Sequence, residues 1–146
     1  YYTEPAKISA GDKGVKLHVK VRNVGSEKAE SVSVRITGEA DVPFDYDVKS
    51  DYLGNLKIGE DGVGILKFDV DKDALPKTYP QGIEIRCTGD RDLGDDNVYV
   101  FDKQIQLEVA SSGSSSSGRF SVPGFEAGFA LLLLFVVLVL RRKRVF

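Results

Sequence analysis

The sequence predicts an all-β protein: an antiparallel β-sandwich of about seven strands, followed by a flexible linker and one C-terminal transmembrane helix. Three observations support this prediction. Apolar and polar residues alternate with period two in several short runs between residues 7 and 110. Segments rich in Gly, Asn, Asp and Pro separate these runs, as expected where strands reverse direction. A continuous apolar run lies close to the end of the chain.

Each predicted strand has one apolar face. The residues expected to face the core are Val15, Leu17, Val19 and Val21; Val32, Val34 and Ile36; Leu66, Phe68 and Val70; Tyr79, Ile83, Ile85 and Cys87; and Ile105, Leu107 and Val109. Shorter strands are predicted at residues 44–48 and 5–9. Residues 98–101 are apolar on both faces, which predicts a bulge near Asp102. This number and spacing of strands is typical of an immunoglobulin-like sandwich, although the chain lacks the Cys–Trp–Cys core of antibody domains.

Charge and residue usage argue against several classes of function. Residues 1–118 carry fifteen lysines and arginines against 21 aspartates and glutamates, a net charge of −6, which argues against nucleic acid as a partner. Cys87 is the single cysteine and is expected to be an inert core thiol. His18 is the single histidine and is expected to be exposed on a strand. Neither a catalytic triad nor a multi-histidine metal site can be built from them. We therefore expect no enzyme activity and no cofactor.

The acidic segment GDRDLGDDN, residues 89–97, contains the strongest candidates for a metal site. Asp90, Asp92, Asp95 and Asp96 are weak calcium candidates, because carboxylates are calcium ligands. The segment departs from the EF-hand pattern, in which glycine stands at the sixth position and a bidentate acid at the twelfth. A solvated loop between two strands is therefore the preferred interpretation.

The C-terminal region has the composition of a linker followed by a membrane segment. Residues 111–121 are rich in Ser and Gly and are expected to form a flexible stalk. The apolar run 127–140 would form a helix of about 21 Å, which is shorter than the roughly 30 Å hydrocarbon core. The basic cluster that follows, Arg141, Arg142, Lys143 and Arg144, places the tail in the cytoplasm and the sandwich outside by the positive-inside rule.

Two resemblances extend this interpretation. The sandwich, with Asn23-Val24-Gly25 closing one strand, Leu53-Gly54 and Gly59-Glu60 before another and Tyr79-Pro80 opening a third, resembles the CARDB-like, S-layer-associated β-sandwich modules of archaeal surface proteins. These marks are turn and core residues, so this resemblance implies a fold more strongly than a function.

The order Pro123-Gly124-Phe125, apolar span, basic cluster and chain end closely resembles the archaeal PGF-CTERM sorting signal. That resemblance implies that an archaeosortase cuts near the motif, discards the helix and joins the new C-terminus to a membrane lipid. Glu126 stands where many members of the family have glycine, which leaves the cut site open.

These features predict four segments: 1–6, an N-terminal tail or the end of a preceding module; 7–110, the sandwich; 111–121, the linker; and 122–146, the sorting signal with its transmembrane helix and basic tail. Because the chain has no methionine and no apolar export signal, we expect a fragment or processed form of an exported protein.

The expected function is a non-enzymatic module of the archaeal cell surface: structural, adhesive or S-layer-associated. Its expected partners are membrane lipid, an archaeosortase-type enzyme and neighbouring surface-layer or envelope proteins. The alternative is a membrane-proximal spacer in a larger exported enzyme or a solute-binding or transport-associated protein.

Overall fold

The structure, a computed structural model, describes residues 1–38 and 42–111. In these ranges it contains nine strands in two sheets and a single turn of 3₁₀ helix. The strands are β1 (Tyr2–Glu4), β2 (Ile8–Ser9), β3 (Val15–Arg22), β4 (Ala29–Thr37), β5 (Phe44–Val48), β6 (Ser50–Leu56), β7 (Asp61–Val70), β8 (Thr78–Thr88) and β9 (Val98–Ala110), with the 3₁₀ turn at Arg91–Leu93. The prediction of an all-β sandwich is confirmed. None of the described residues forms a helix long and apolar enough to cross a bilayer.

The first sheet has the strand order β1-β3-β7-β5, and the second has the order β2-β9-β8-β4-β6. All neighbouring pairs are antiparallel except β2 and β9, which are parallel. Only Lys49 separates β5 from β6, so the chain passes from one sheet to the other within a single residue.

The core lies between the sheets and consists mainly of residues that alternation predicts, although the predicted core residues Val21, Ile36 and Ile85 are only partly buried. Phe68 is fully buried at its centre, with its ring centroid 4.9 Å from that of Phe44 and 5.0 Å from that of Tyr46. The other predicted core positions that are buried are Val15, Leu17, Val19, Val32, Val34, Leu66, Val70, Tyr79, Ile83, Ile105, Leu107 and Val109. Burial of this apolar surface is the main force that holds the two sheets together.

One polar side chain, Gln81, is fully buried at an inward position of β8. Its Oε1 accepts a hydrogen bond from the Tyr46 hydroxyl at 3.2 Å. Its Nε2 donates to the carbonyl oxygens of Thr37 and Gly82, at 3.1 and 3.2 Å. Burial raises the pKa of Tyr46 well above its usual range, so the hydroxyl keeps its proton and remains a donor. The amide is therefore satisfied inside the core, as buried polar groups must be.

The segment after β5 differs from the prediction. Residues 52–62, YLGNLKIGEDG, were expected to be one of the turn segments between strands, but Ser50–Leu56 form β6, which pairs with β4 through an irregular register. Gly54 has a φ of 80°, and the Asn55 side chain accepts the N–H of Ser31 at 2.9 Å. Gly and Asn are typical of turns, but here they lie within a strand whose register is irregular.

The predicted bulge near Asp102 is absent. β8 and β9 pair in an unbroken register from Thr78 opposite Glu108 to Thr88 opposite Val98. The apolar residues that suggested the bulge instead lie on a regular strand and are exposed. Among the strands that pair with β8, the register shift is in β4, between Glu30 and Ser33.

The N-terminal residues contribute to both sheets. Residues 1–6 were expected to be an N-terminal tail or the end of a preceding module, and in the structure β1 pairs antiparallel with β3, with Tyr2 opposite His18. The strand predicted at residues 5–9 is limited to β2, which pairs with Val109 and Ala110 at the end of β9. The sandwich therefore begins at the first residues of the chain rather than at residue 7.

Candidate functional site

The acidic loop, residues 89–97, connects β8 to β9 and is ordered by its own side chains. Asp90 caps the 3₁₀ turn, and its Oδ1 accepts the N–H of Asp92 at 3.0 Å. Gly94 ends the turn with a φ of 86°, a left-handed conformation that favours glycine. The Gly89 N–H donates to the Asn97 carbonyl at 3.0 Å and closes the loop at its base. The sequence of turn-forming residues therefore specifies a compact loop.

Lys28, immediately before β4, holds this loop against the sandwich. Its Nζ lies 2.8 Å from Asp92 Oδ2, 2.9 Å from Glu30 Oε1 and 3.3 Å from Asp90 Oδ1. Hydrogen bonds to Asp92 and Glu30 raise the pKa of Lys28 well above its usual range, and the same contact lowers the pKa of Asp92. One ammonium group thus contacts three carboxylates.

This arrangement separates the four calcium candidates. The carboxylates of Asp90 and Asp92 lie with Glu30 in a group whose oxygens are within 4.8 Å of one another. The Lys28 ammonium lies among these oxygens, and Arg91 Nε lies 3.8 Å from Glu30 Oε2, so the group already contains two positive charges. Asp96 is exposed, and Asp95 is bound elsewhere in the loop. We therefore interpret the group as an internal ion cluster.

Asp95 stabilises the end of the loop that leads into β9. Its Oδ1 accepts the Asn97 N–H at 3.1 Å, and its Oδ2 accepts the Tyr99 hydroxyl at 2.8 Å. The Asn97 N–H and the Tyr99 hydroxyl lower the pKa of Asp95, and Asp95 raises the pKa of Tyr99. A carboxylate that accepts several hydrogen bonds is favoured in its charged form.

We predict that millimolar calcium leaves the melting temperature of the wild-type chain unchanged. In Lys28→Met, the three carboxylates lose the ammonium that they share and only Glu30 keeps a cationic neighbour, Arg91, so the melting temperature falls and calcium partly restores it. Thermal denaturation followed by far-UV circular dichroism, with and without calcium, measures both effects. Lys16→Met, which removes a lysine on the first sheet outside the cluster, is the control. A calcium-dependent rise in the wild type contradicts the ion-cluster interpretation.

We also predict that the contribution of Asp95 to stability disappears in acid. Its folded pKa is lower than the unfolded value of about 3.9, so its stabilisation is present above that pH and is lost as the pH falls through the folded pKa. Asp95→Asn should therefore have a lower melting temperature than the wild type at about pH 6, and the difference should be smaller at about pH 2. A difference of equal size at both pH values indicates that the charge of Asp95 does not matter.

An apolar groove opens beside the acidic loop, between the ends of the two sheets. It encloses about 670 Å³, and its walls include Val21, Ala29, Leu56, Ile85, Cys87 and Phe101. Tyr99 and Phe101 line the groove, and the four consecutive residues 98–101 are exposed despite their apolar side chains: Val98 by 50%, Tyr99 by 42%, Val100 by 50% and Phe101 by 50%. The sequence signal for this feature was the apolar character of both faces of residues 98–101, which we had interpreted as a bulge.

The lone cysteine and the lone histidine are placed differently from expectation. Cys87 faces inward but is only partly buried, because it lies at the open end of the sandwich on the groove wall. Burial still raises the pKa of its thiol, which favours the unreactive form.

His18 faces outward as predicted but is not exposed. Its side chain is 12% accessible, because the Tyr2 ring stacks on it with centroids 4.4 Å apart. Cys87 and His18 thus lie on different sheets and face different environments.

The sorting motif, Pro123, Gly124 and Phe125, and the basic cluster of Arg141, Arg142, Lys143 and Arg144 lie outside the described residues. The structure therefore neither brings them together nor separates them. The same holds for the linker beyond Ser111. Two residues that hold the acidic loop, Lys28 and Glu30, were not singled out from the sequence.

Comparisons with known proteins give one archaeal relative. The chain is 39% identical over 141 residues to the uncharacterized protein MJ1561 of Methanocaldococcus jannaschii, a match that covers 97% of this chain and 25% of the relative. The chain thus spans about a quarter of the length of the curated relative it matches. No protein-family model matches the chain.

Among solved structures, the sandwich is similar to SSP-19, an MSP-domain-like protein of Caenorhabditis elegans. The TM-score is 0.40 at 13% identity, and the match covers 75% of this chain and 99% of the other.

Proposed function

We propose that this chain is a non-enzymatic module of an archaeal cell surface, exported and anchored to the membrane through its C-terminus. The observation that carries the proposal is the order of features after β9. The last strand ends at Ala110, and the sequence continues with the Ser/Gly linker, Pro123-Gly124-Phe125, the apolar run and four bases. This is the order in which a stalk, a sorting motif, a membrane span and a topology signal must stand.

The archaeal relative supports the proposal. Because the match covers 97% of this chain, it extends from the sandwich well into residues 122–146. The sandwich and the C-terminal segment therefore occur together as one unit in an archaeal protein. In this proposal the apolar run is a temporary membrane span, which removes the need for it to match the full bilayer thickness.

We further infer that the sandwich is of the immunoglobulin-like type that surface modules use widely. The order β1-β3-β7-β5 corresponds to one immunoglobulin sheet, and the neighbours β9-β8-β4 correspond to the other. Such a domain presents loops at both ends of a rigid body. It therefore suits a structural or adhesive role, with lipid, an archaeosortase-type enzyme and neighbouring envelope proteins as partners.

A spacer role is the second candidate, and the length of the relative favours it. Three quarters of that protein lie outside the match, so a catalytic or solute-binding domain has room to accompany this unit. The full precursor sequence distinguishes the two roles. Further sandwiches upstream support the structural module, whereas an enzyme or solute-binding domain upstream supports the spacer.

Cell fractionation tests the anchoring. The chain, fused after an export signal and produced in an archaeal host, should be found in the membrane fraction, and deletion of residues 122–146 should release it into the medium. Replacement of Pro123, Gly124 and Phe125 together by alanine should leave a longer, unprocessed chain in the membrane. Replacement of Val145 and Phe146 by alanine is the matched control and should change nothing. Retention of the deletion variant in the membrane contradicts C-terminal anchoring.

A further inference from the structure

The first half of β9 forms an open edge of the second sheet. On that side of β9, β2 pairs only with Val109 and Ala110, and the Tyr1 hydroxyl contacts the backbone of Gln106. Between Val98 and Gln104, no strand among the described residues pairs with this edge. A sheet edge of this kind is a template on which another strand can pair.

Backbone hydrogen bonds show which groups face the open edge. The Val109 N–H donates to the Lys77 carbonyl at 3.0 Å, so Val109 faces β8. The Gln106 N–H donates to the Tyr1 hydroxyl at 3.2 Å, and the Gln106 carbonyl accepts from it at 2.8 Å, so Gln106 faces away. In an antiparallel ladder these directions alternate by residue. The N–H and C=O groups that face the open edge are therefore those of Val98, Val100, Asp102 and Gln104.

The first four side chains along this edge, at residues 98–101, lack the usual protection, and charged residues begin only at Asp102 and Lys103. Natural edge strands carry lysine, proline or a bulge that prevents pairing with another chain. Residues 98–101 carry none of these, and their four apolar side chains are between 42% and 50% exposed. They extend on both faces of the strand, so a ligand confined to the groove would cover only Tyr99 and Phe101. An added strand would lie beside both faces.

We propose that this edge pairs antiparallel with the same edge of a second copy of the chain, about a two-fold axis at Val100. In this register the backbone groups of the two Val100 residues bond to each other. Tyr99 of each copy lies opposite Phe101 of the other, and Asn97 lies opposite Lys103. Only residues whose N–H and C=O groups face the edge can form hydrogen bonds across it, so the register must place two such residues opposite each other.

The segment is complementary to itself in this register. Two aromatic pairs form opposite each other, an arrangement that stabilises cross-strand contacts. On the groove face, Lys103 of one copy lies diagonal to Asp95 of the other. On the opposite face, Asp102 lies opposite Val98 and diagonal to Asp96, so the charge complementarity is confined to the groove face. These matches favour a second copy over a strand of unrelated sequence. The proposal is independent of how the chain is anchored, because it uses only residues of the described sandwich.

Sedimentation equilibrium of the full chain, in detergent matched in density to the solvent, tests the proposal. The wild type should dimerise, and Val100→Pro should weaken dimerisation by roughly tenfold or more, because both central N–H donors are lost. This N–H faces the open edge, so proline removes no bond to β8. Val100→Thr keeps the N–H and the β-branched shape, and should dimerise nearly as well as the wild type. A second blocking variant, Val100→Lys, places two lysines opposite each other at the axis and so opposes dimerisation by charge repulsion, without the backbone change that proline makes.

A monomeric wild type overturns the proposal, and so does a dimer that persists equally in Val100→Pro and Val100→Lys. A labelled peptide of residues 96–105 supplies an independent measurement. It should bind the chain and compete with dimerisation, whereas a scrambled peptide of the same composition should not. Equal binding of the scrambled peptide indicates an edge open to any strand and overturns pairing with a second copy.

Discussion

Phe68→Ala is expected to lower the free energy of unfolding by about 3–5 kcal/mol, the largest effect of any single truncation in the sandwich. Phe68 is fully buried, and its ring lies within 5.0 Å of the rings of Phe44 and Tyr46, measured between centroids. Alanine removes these contacts and leaves a cavity that rigid strands on both sides cannot fill. Urea denaturation followed by far-UV circular dichroism measures the change.

Phe101→Ala is the matched control, because it removes the same side chain from a half-exposed position. Phe101→Ala should lower the free energy of unfolding by about 1 kcal/mol or less, measured at a concentration where the chain is monomeric. Equal costs for the two variants contradict the placement of Phe68 at the centre of the core.

Gly64→Ala is expected to lower the free energy of unfolding by about 1–3 kcal/mol. Gly64 lies on the inward face of β7, where an added Cβ would collide with Val34 Cγ2 and lie 3.3 Å from Leu53 Cδ1. The two sheets approach closely at this point, and no rotation of the new methyl group relieves the contact. The melting temperature and the urea midpoint should both fall.

A double-mutant cycle shows whether the collision with Val34 is the cause. Val34→Ala removes the methyl group that Gly64→Ala would strike, so the double variant should be more stable than the sum of the two single effects by about 0.5–3 kcal/mol. Strict additivity indicates that the backbone freedom of glycine, and not close packing, explains the cost of the single variant.

The strands that alternation predicted are those with one face buried against the other sheet. β3, β7 and the second half of β9 follow period two because each has a core face and a solvent face. β1 and β6 were missed for a different reason. β1 is short and mostly exposed, and β6 contains a distorted register with turn-forming residues, so their pairing depends on neighbours distant in sequence.

The environment of the first half of β9 does not follow from its residue pattern. Residues 98–101 are apolar on both faces, a pattern that fits a bulge, a strand buried on both sides and a strand exposed on both sides equally well. Only the position of neighbouring strands distinguishes these cases. The structure shows a regular strand with an exposed edge, and this edge became the basis for the proposed dimer.

The acidic loop was located from the sequence, but its chemistry was not. The turn-forming residues and aspartates identified a loop between two strands. The ion cluster depends on Lys28, which is 64 positions from Asp92. No local pattern relates residues so distant, because their contact arises from the pairing of β4 with β8. The same reason explains why the burial of His18 under Tyr2 was not predicted.

The mass of the C-terminal tryptic peptide from native membranes tests the central claim most directly. Trypsin cuts after Arg119, so this peptide begins at Phe120 and contains the sorting motif. We predict a peptide that ends near Pro123–Phe125 and carries the added mass of a lipid. A peptide that continues unmodified through the apolar run to Arg141 contradicts cleavage and lipid anchoring, and identifies a permanently membrane-spanning protein.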